Sequence, residues 1–174
     1  TMMKKGLEVI EAKWLFDLDS DQIHVIIHPQ SIIHSMVQFI DGSIKAQMGL
    51  PDMRLPIQYA IGLSKRMNSN FRRFDFMEYP ELTFEKPDYG KFPNLSIAFS
   101  ALERGGTAPC AMNAANEIVV EAFLKEQITF TNMPGIIEKA IEKTEFLPEP
   151  SLNDYFDINS EARERAYSLI ESFT

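Results

Sequence analysis

The apolar residues of this chain change their spacing along its length, and each spacing predicts a different kind of element. Near the start they recur every three or four residues, which predicts an amphipathic helix over residues 2–16 with Thr1 as its cap. A run dense in β-branched residues follows at 22–28 and stops at Pro29, which is typical of a buried strand. The apolar stripe of the predicted helix consists of Leu7, Ile10 and Trp14.

Two segments of alternating polarity predict an antiparallel hairpin. Residues 34–40 and 43–48 flank an Asp-Gly dipeptide, which favours a tight turn between strands. A loop over 49–54 and a helix over 55–65 are predicted next, because a proline falls in the first turn of that helix, where its missing N–H costs little. The first part of the chain is therefore expected to be α/β (α+β), with a small, mostly antiparallel or mixed sheet.

The second part of the chain is predicted to be helical. Regular spacing is lost over 67–93, where prolines and aromatic residues alternate and only 81–84 looks extended, so this stretch is predicted to be a connector. Four helical segments separated by short loops then favour a four-helix bundle. The segments are 94–104, 108–126, 134–144 and 162–173, the last preceded by an Asn159-Ser160 cap. We therefore expect a domain segment at 1–66, the connector, and a bundle at 94–174.

Composition narrows the function classes. With 45% apolar residues the 174-residue chain can bury a core, and its net charge of −8 argues against nucleic acid as a partner. The single cysteine, Cys110, excludes an internal disulfide framework and a structural zinc site built on paired cysteines. No apolar run approaches the ~20 residues that span a bilayer, and no signal-peptide pattern is present. These features favour a cytoplasmic protein without a membrane partner.

Two lysines at a helix start are the first candidate for chemistry. Lys4 and Lys5 fall in the first turn of the predicted helix, where the dipole is positive, so they favour an anion such as a phosphate there. Glu8 stands three residues after Lys5, on a neighbouring face, and a carboxylate beside a phosphate suits a divalent metal or a proton transfer. The alternative is an exposed Lys/Glu surface pair.

The histidines form the second candidate. His24 and His28 lie two pleats apart on the predicted strand, too far to share one metal, which argues against a zinc site. Ser31 and His34 follow a Pro-Gln-Ser turn and could both reach a cleft at the strand's end. The alternative for His24 and His34 is a histidine whose ring bonds to the backbone.

Two further groups of residues are weaker candidates. Met53 stands in the 49–54 loop, where it could cover a flat ring or simply fill the core. Asn113, Asn116 and Glu117 share a stripe of an apolar helix and predict hydrogen bonds between helices or domains rather than catalysis. The sequence contains no glycine-rich phosphate loop and no nucleophile elbow, so any nucleotide is expected to bind to another domain.

Five segments together resemble the 1-deoxy-D-xylulose 5-phosphate reductoisomerase family, in the family's order and over nearly the whole chain. They are residues 1–16, 27–36, 47–54, 82–89 and 111–117. The resemblance covers only the later part of the family's sequence. It implies a three-part enzyme: an N-terminal NADPH-binding domain, a central catalytic α/β domain that also forms the homodimer, and a C-terminal helical bundle. This chain would hold the end of the central domain, the connector and the bundle.

The resemblance also implies the reaction and the residues that perform it. In the family the sugar phosphate 1-deoxy-D-xylulose 5-phosphate is rearranged and then reduced by NADPH to 2-C-methyl-D-erythritol 4-phosphate, a step of non-mevalonate isoprenoid biosynthesis, with Mg²⁺ or Mn²⁺ polarising the substrate oxygens. The implied catalytic residues are Lys5, Glu8 and His34. The implied substrate contacts are Lys4, Lys5, Glu8, Ser31, His34 and Met53. Glu8 is the implied metal ligand, and Met53, together with Pro51, belongs to the loop implied to lie against the substrate and the nicotinamide region.

One position departs from the family, and part of the family's site lies outside the sequence. The family usually has asparagine where this chain has Lys4, and lysine suits an anion but cannot supply the amide's acceptor. The other metal carboxylates, a serine and the mobile lid belong to the family's earlier sequence. We therefore expect the isolated chain to bind metal weakly and to be inactive. The alternatives are a scaffold or dimerisation module without chemistry and, less favoured, a histidine-based metallohydrolase.

Overall fold

The computed structural model describes residues 1–63 and 65–172, which form two compact units. The first unit combines Thr1–Val25 with Pro87–Thr174, and the second is Ile26–Lys86. The elements in chain order are α1 (Met3–Phe16), β1 (Ile33–Gln38), β2 (Ile44–Met48), α2 (Arg54–Ile61), α3 (Pro93–Arg104), α4 (Ala108–Leu124), α5 (Met133–Lys143) and α6 (Leu152–Glu171).

The helical unit is organised around α4, which contacts α1, α3, α5 and α6. Small residues on α4 let its neighbours approach closely, and larger apolar side chains from the surrounding helices fill the remaining space. The four helices predicted after residue 93 are all present, and α1 packs beside them. The buried residues of α4 are Ala108, Ala111, Met112, Ala114, Ala115, Ile118, Val119 and Ala122.

The attachment of α1 explains why the compact units do not follow the 1–66, 67–93 and 94–174 division. Met3 of α1 is buried in the same apolar cluster as residues of α3 and α4, and Leu7 and Ile10 pack against that cluster. Gly6, between Met3 and Leu7, lies against Ala98 of α3. Helix α1 therefore belongs to the helical unit although it precedes the hairpin in sequence.

The second unit contains the predicted hairpin. Strands β1 and β2 pair antiparallel from Gln38 opposite Ile44 to Ile33 opposite Met48. Ser43 donates its backbone N–H and its hydroxyl to the Asp41 carboxylate, which fixes the turn and lowers the pKa of that carboxyl. Helix α2 follows a short loop and ends at Ile61 rather than at residue 65; Ser64, within the predicted helix, lies outside the described residues.

The strand predicted over 22–28 is wrong. The segment begins as a short 3-10 helix, Ser20–Gln22, and continues without regular structure to a single antiparallel bridge between Ile27 and Glu85. β-Branched residues make a strand favourable only where a partner strand supplies hydrogen bonds, and here the partner meets the segment only at its end. His24 is accordingly exposed.

Two predicted helix starts are also corrected. Helix α6 begins at Leu152, ten residues before the predicted start, because Ser151 and Asp154 form a capping box at its N-terminus. The predicted end of this helix, Phe173, lies outside the described residues. The cap of α1 is Met2 rather than Thr1, since Met2 adopts a left-handed conformation with φ 61° and the helix starts one residue later than predicted. The Thr1 hydroxyl still accepts a hydrogen bond from the N–H of Met3 at 3.3 Å.

Candidate active site

The N-terminus of α1 presents positive charge to solvent. Its first turn carries no acidic residue, and the exposed Lys4 and Lys5 stand at the positive end of the helix dipole. Met3 and Gly6 are buried on the opposite side of the helix. The buried side therefore orients the two lysines outward, where an anion would meet both the ammonium groups and the positive end of the helix.

Lys5 and Glu8 are brought together as their spacing predicts. The Lys5 ammonium donates a hydrogen bond to the Glu8 carboxylate, and the side chains remain 47% and 40% exposed. An ion pair this exposed contributes little to stability. Both groups are open to a ligand that offers a better partner, so the pair is accessible for binding as well as forming a surface contact.

Glu8 fits a divalent cation as one ligand among several. Its carboxylate oxygens are the donor type that Mg²⁺ and Mn²⁺ prefer, and they are accessible beside the lysine. Among the residues that the structure describes, no three His, Cys, Asp or Glu side chains cluster as a metal site. The donor set of this chain therefore matches a contribution of one carboxylate to a larger site.

Ser31 occupies a tight turn in the second unit. Its backbone N–H donates to the carbonyl of His28 at 3.0 Å, and its φ of 52° lies in the left-handed region that a serine seldom adopts. Ser31 is exposed, whereas the next residue, Ile32, is fully buried and accepts a hydrogen bond from Gly49 at 2.9 Å. The anchored isoleucine and the turn together fix where the serine hydroxyl is presented.

His34 lies in an irregularity of strand β1. Ile33 pairs with Met48 and Ser35 with Gln47, so His34 is the extra residue of a bulge. Its Nε2 lies 3.1 Å from the carbonyl oxygen of Gly49 and its ring is exposed. The backbone-bonded alternative for His34 is thus present in this structure, while the bulge and the exposure leave the ring open to a ligand on its other nitrogen.

The loop between the hairpin and α2 displays Met53. Arg54 donates hydrogen bonds to the Asp52 carboxylate from Nε at 2.9 Å and from a terminal nitrogen at 2.6 Å. These bonds lower the pKa of the Asp52 carboxyl. The guanidinium also lies 4.7 Å from the ring of Phe71. Met53, between the two paired residues, is 72% exposed, so it does not fill the core and is available to cover a flat ligand.

The predicted site residues divide between the two units. Lys4, Lys5 and Glu8 belong to the helical unit, and Ser31, His34 and Met53 to the second unit. The residues of the helical unit all lie on the first turns of α1. Those of the second unit lie on the turn before β1, on the bulge in β1 and on the loop after β2.

Of the polar stripe on α4, Glu117 makes the predicted contact to another helix, whereas Asn113 bonds within α4 and the buried Asn116 Oδ1 has no hydrogen-bond partner among the described residues. Glu117 accepts a hydrogen bond from Asn113 at 3.1 Å and pairs with Arg163 of α6, which also donates to Asn159 at 2.9 Å. Nearby Cys110 is half-buried, and burial raises the pKa of its thiol. This group joins two helices and lies within the helical unit.

Sequence reasoning missed two residues beside Ser31. Gln30 and Thr83 pair through their side chains, 53 residues apart in the chain, and His28 bonds to the carbonyl of Thr83. The extended character predicted for 81–84 was the available signal, since an extended segment needs a partner for its backbone groups. Nothing in the local sequence identifies which segment that partner is.

The fold and the candidate site define a class of protein. It combines an α+β segment with a helical bundle, and the start of one helix carries lysines and a carboxylate that suit an anionic ligand bound together with a metal ion. Residues 48–165 match the family model described as the DXP reductoisomerase C-terminal domain. The chain belongs to the 1-deoxy-D-xylulose 5-phosphate reductoisomerase family.

Known relatives align with almost the entire chain. The enzyme of that name from Phocaeicola vulgatus is 55% identical over 172 residues, and the one from Porphyromonas gingivalis is 54% identical over 173 residues. Each alignment covers 99% of this chain and 45% of the relative. The chain thus spans less than half the length of the curated relatives it matches.

Solved structures of the family have the same fold. The reductoisomerase from Zymomonas mobilis in complex with NADPH matches with a TM-score of 0.91 and 46% identity, over 98% of this chain and 45% of that one. A reductoisomerase in complex with NADPH, fosmidomycin and magnesium matches with a TM-score of 0.91 and 38% identity, over 98% of this chain and 44% of that one. No helix among residues 1–63 and 65–172 is long and apolar enough to cross a membrane.

Proposed function

We propose that this chain supplies the C-terminal part of a reductoisomerase that converts 1-deoxy-D-xylulose 5-phosphate to 2-C-methyl-D-erythritol 4-phosphate with NADPH and a divalent metal. The observation that carries the proposal is the 55% identity to the Phocaeicola vulgatus enzyme over 99% of the chain. Complexes of relatives with NADPH and with magnesium support the two cofactors. The product places the protein in non-mevalonate isoprenoid precursor synthesis.

The start of α1 binds the substrate in this proposal. Lys5 contacts the sugar phosphate, and Lys4 adds a second positive charge in place of the family's usual asparagine. The exposure of both ammonium groups and the absence of an acidic residue in the first turn support this role. Charge attraction in a low-dielectric site strengthens when the rest of the enzyme excludes water around it.

Glu8 is the metal ligand that this chain contributes. A bound Mg²⁺ or Mn²⁺ would polarise the carbonyl and hydroxyl oxygens of the substrate. The hydrogen bond from the Lys5 ammonium keeps the Glu8 carboxylate beside the proposed phosphate contact. The resemblance to the family assigns the other metal carboxylates to the family's earlier sequence, and among the described residues no three His, Cys, Asp or Glu side chains cluster.

Three residues of the second unit are proposed as further ligand contacts. Ser31 donates a hydrogen bond to the substrate from its left-handed turn. His34 orients the substrate or moves a proton, a role that its bulged, exposed ring supports. Met53 covers the substrate and the nicotinamide region, and its 72% exposure supports a contact that forms when ligands are present.

Assembly and location belong to the same proposal. The full-length protein is a homodimer in the cytoplasm and binds neither membrane nor nucleic acid. The net charge of −8 supports the exclusion of nucleic acid, which requires clustered positive charge. Light scattering during size-exclusion chromatography of a full-length form distinguishes a dimer from a monomer.

A chimeric enzyme tests the proposed function. This chain replaces the matching 45% of the Phocaeicola vulgatus enzyme, and NADPH oxidation is followed at constant substrate and Mg²⁺. We expect turnover comparable to that of the parent enzyme, and none from the 174-residue chain alone. A chimera that folds and binds NADPH but does not oxidise it with substrate favours the scaffold alternative. Circular dichroism and thermal melting confirm folding in each case.

A further inference from the structure

The connector segment around Thr83 runs beside the segment that leads to Ser31. Ile27 and Glu85 exchange both backbone hydrogen bonds at 2.9 Å, which forms a short antiparallel bridge. Between this bridge and the turn, His28 Nδ1 lies 2.8 Å from the carbonyl oxygen of Thr83. The His28 ring also stacks on Phe84 with ring centroids 4.9 Å apart. The two segments are therefore joined through both backbone and side chains.

Gln30 extends this connection to the residue immediately before Ser31. Its amide nitrogen donates to the Thr83 hydroxyl at 2.9 Å, and its amide oxygen accepts from the Thr83 backbone N–H at 3.3 Å. Two hydrogen bonds between the same pair of residues restrict the orientation of the glutamine more than one bond would. Thr83, on the connector, thus restricts the orientation of the Gln30 side chain on the neighbouring segment.

The next residue has a conformation that needs such support. Ser31 has a φ of 52°, and a non-glycine residue in the left-handed region is held there by its surroundings. Its other restraints are the turn hydrogen bond to the His28 carbonyl and the buried Ile32 that follows. His28 and Gln30, on either side of Pro29, both bond to Thr83, so Thr83 braces the turn before the serine.

We infer that Thr83 is a positioning residue that acts through Gln30 to hold the Ser31 hydroxyl where the substrate needs it. The inference rests on the proposed function, because it takes Ser31 as a substrate contact. The connector then has a role beyond linking the parts of the chain: it sets the geometry of one substrate contact. Removal of the Thr83 hydroxyl should weaken substrate binding and leave the chemical step nearly unchanged.

The conformational part of the inference is tested on the 174-residue chain. Thr83→Val removes the hydroxyl and keeps the size and the backbone groups, whereas Thr83→Ser keeps the hydroxyl. By NMR we expect the Ser31 amide to exchange about two- to fivefold faster in Thr83→Val, the effect of one lost hydrogen bond, and at the original rate in Thr83→Ser. Amide exchange at Val119 in the helical unit reports whether the fold is intact. Equal exchange at Ser31 in both variants overturns the inference.

The functional part is tested on the chimera. We expect Thr83→Val to raise KM for the sugar phosphate about two- to fivefold with kcat nearly unchanged, and Thr83→Ser to restore the original KM. Gln30→Leu should have a similar effect, and the double variant should be no worse than either single one, because both changes remove the same contact. Additive effects, or an unchanged KM in Thr83→Val, contradict the inference. An inactive unsubstituted chimera counts against the proposed function, and Ser31 exchange then decides the positioning role alone.

Discussion

Gly6 of α1 lies directly against Ala98 of α3, so closely that a Cβ on the glycine would overlap the Cβ of the alanine. The contact brings the two helix backbones together at the position between Lys5 and Leu7. It fixes which side of α1 is buried, and therefore which side carries Lys5 and Glu8 outward. The packing of α1 on α3 and the outward orientation of Lys5 and Glu8 therefore both depend on having glycine, with no side chain, at position 6.

Gly6→Ala tests this contact. The added methyl group forces α1 away from α3, and overpacking of this kind costs about 1–3 kcal/mol in the free energy of unfolding. Gly135→Ala is the matched control, since a Cβ at that helical position meets no atom within 4 Å and alanine is the better helix former. Urea unfolding of both variants measures the difference. A Gly6→Ala variant as stable as Gly135→Ala would show that α1 does not pack as described.

The start of α6 gives a second stability prediction. Ser151 accepts from the N–H of Asp154, whose carboxylate accepts from the N–H of Ser151 at 2.7 Å. Ser151→Ala should lower the free energy of unfolding by about 1 kcal/mol through loss of the cap. Ser160→Ala, at the site where the sequence predicted a cap, should change it by less than about 0.5 kcal/mol. Thermal melts of the two variants, run in parallel, decide between these positions. A larger loss of stability in Ser160→Ala than in Ser151→Ala would place the helix start near residue 160.

Cys110 predicts how stability changes in alkaline solution. Burial raises the pKa of its thiol above the ordinary value of 9.0, so the folded chain holds this proton more tightly than the unfolded chain does. The contribution to stability is complete below about pH 9 and is lost as the pH rises through the folded pKa. The free energy of unfolding should therefore fall more steeply above pH 9 in the original chain than in Cys110→Ala. Parallel curves for the two proteins from pH 8 to pH 10.5 would rule out a raised pKa.

Local signals in the sequence were sufficient where neighbours in the chain make the contacts. The Asp-Gly turn placed the hairpin, and the three-residue spacing of Lys5 and Glu8 placed both on accessible positions of one helix. The Ser-x-x-Asp pattern at 151–154 is an equally local signal for the start of α6.

Contacts between distant segments could not be read in the same way. The β-branched run at 22–28 has strand composition, but its only paired residue, Ile27, meets Glu85 far along the chain. The Gln30 and Thr83 pair depends on that same distant approach. The attachment of α1 to α3 likewise required the structure, because a glycine in a helix does not reveal which surface it lets approach.

The most direct test of the account compares Glu8 with Glu11 in the chimera. Both are carboxylates of α1, one turn apart, and only Glu8 pairs with Lys5. We predict that Glu8→Gln lowers kcat/KM on the order of 100-fold or more and raises the Mg²⁺ concentration needed for half-maximal activity, whereas Glu11→Gln changes neither. If Glu8→Gln retains the activity and the Mg²⁺ dependence of Glu11→Gln, the start of α1 is not part of the active site.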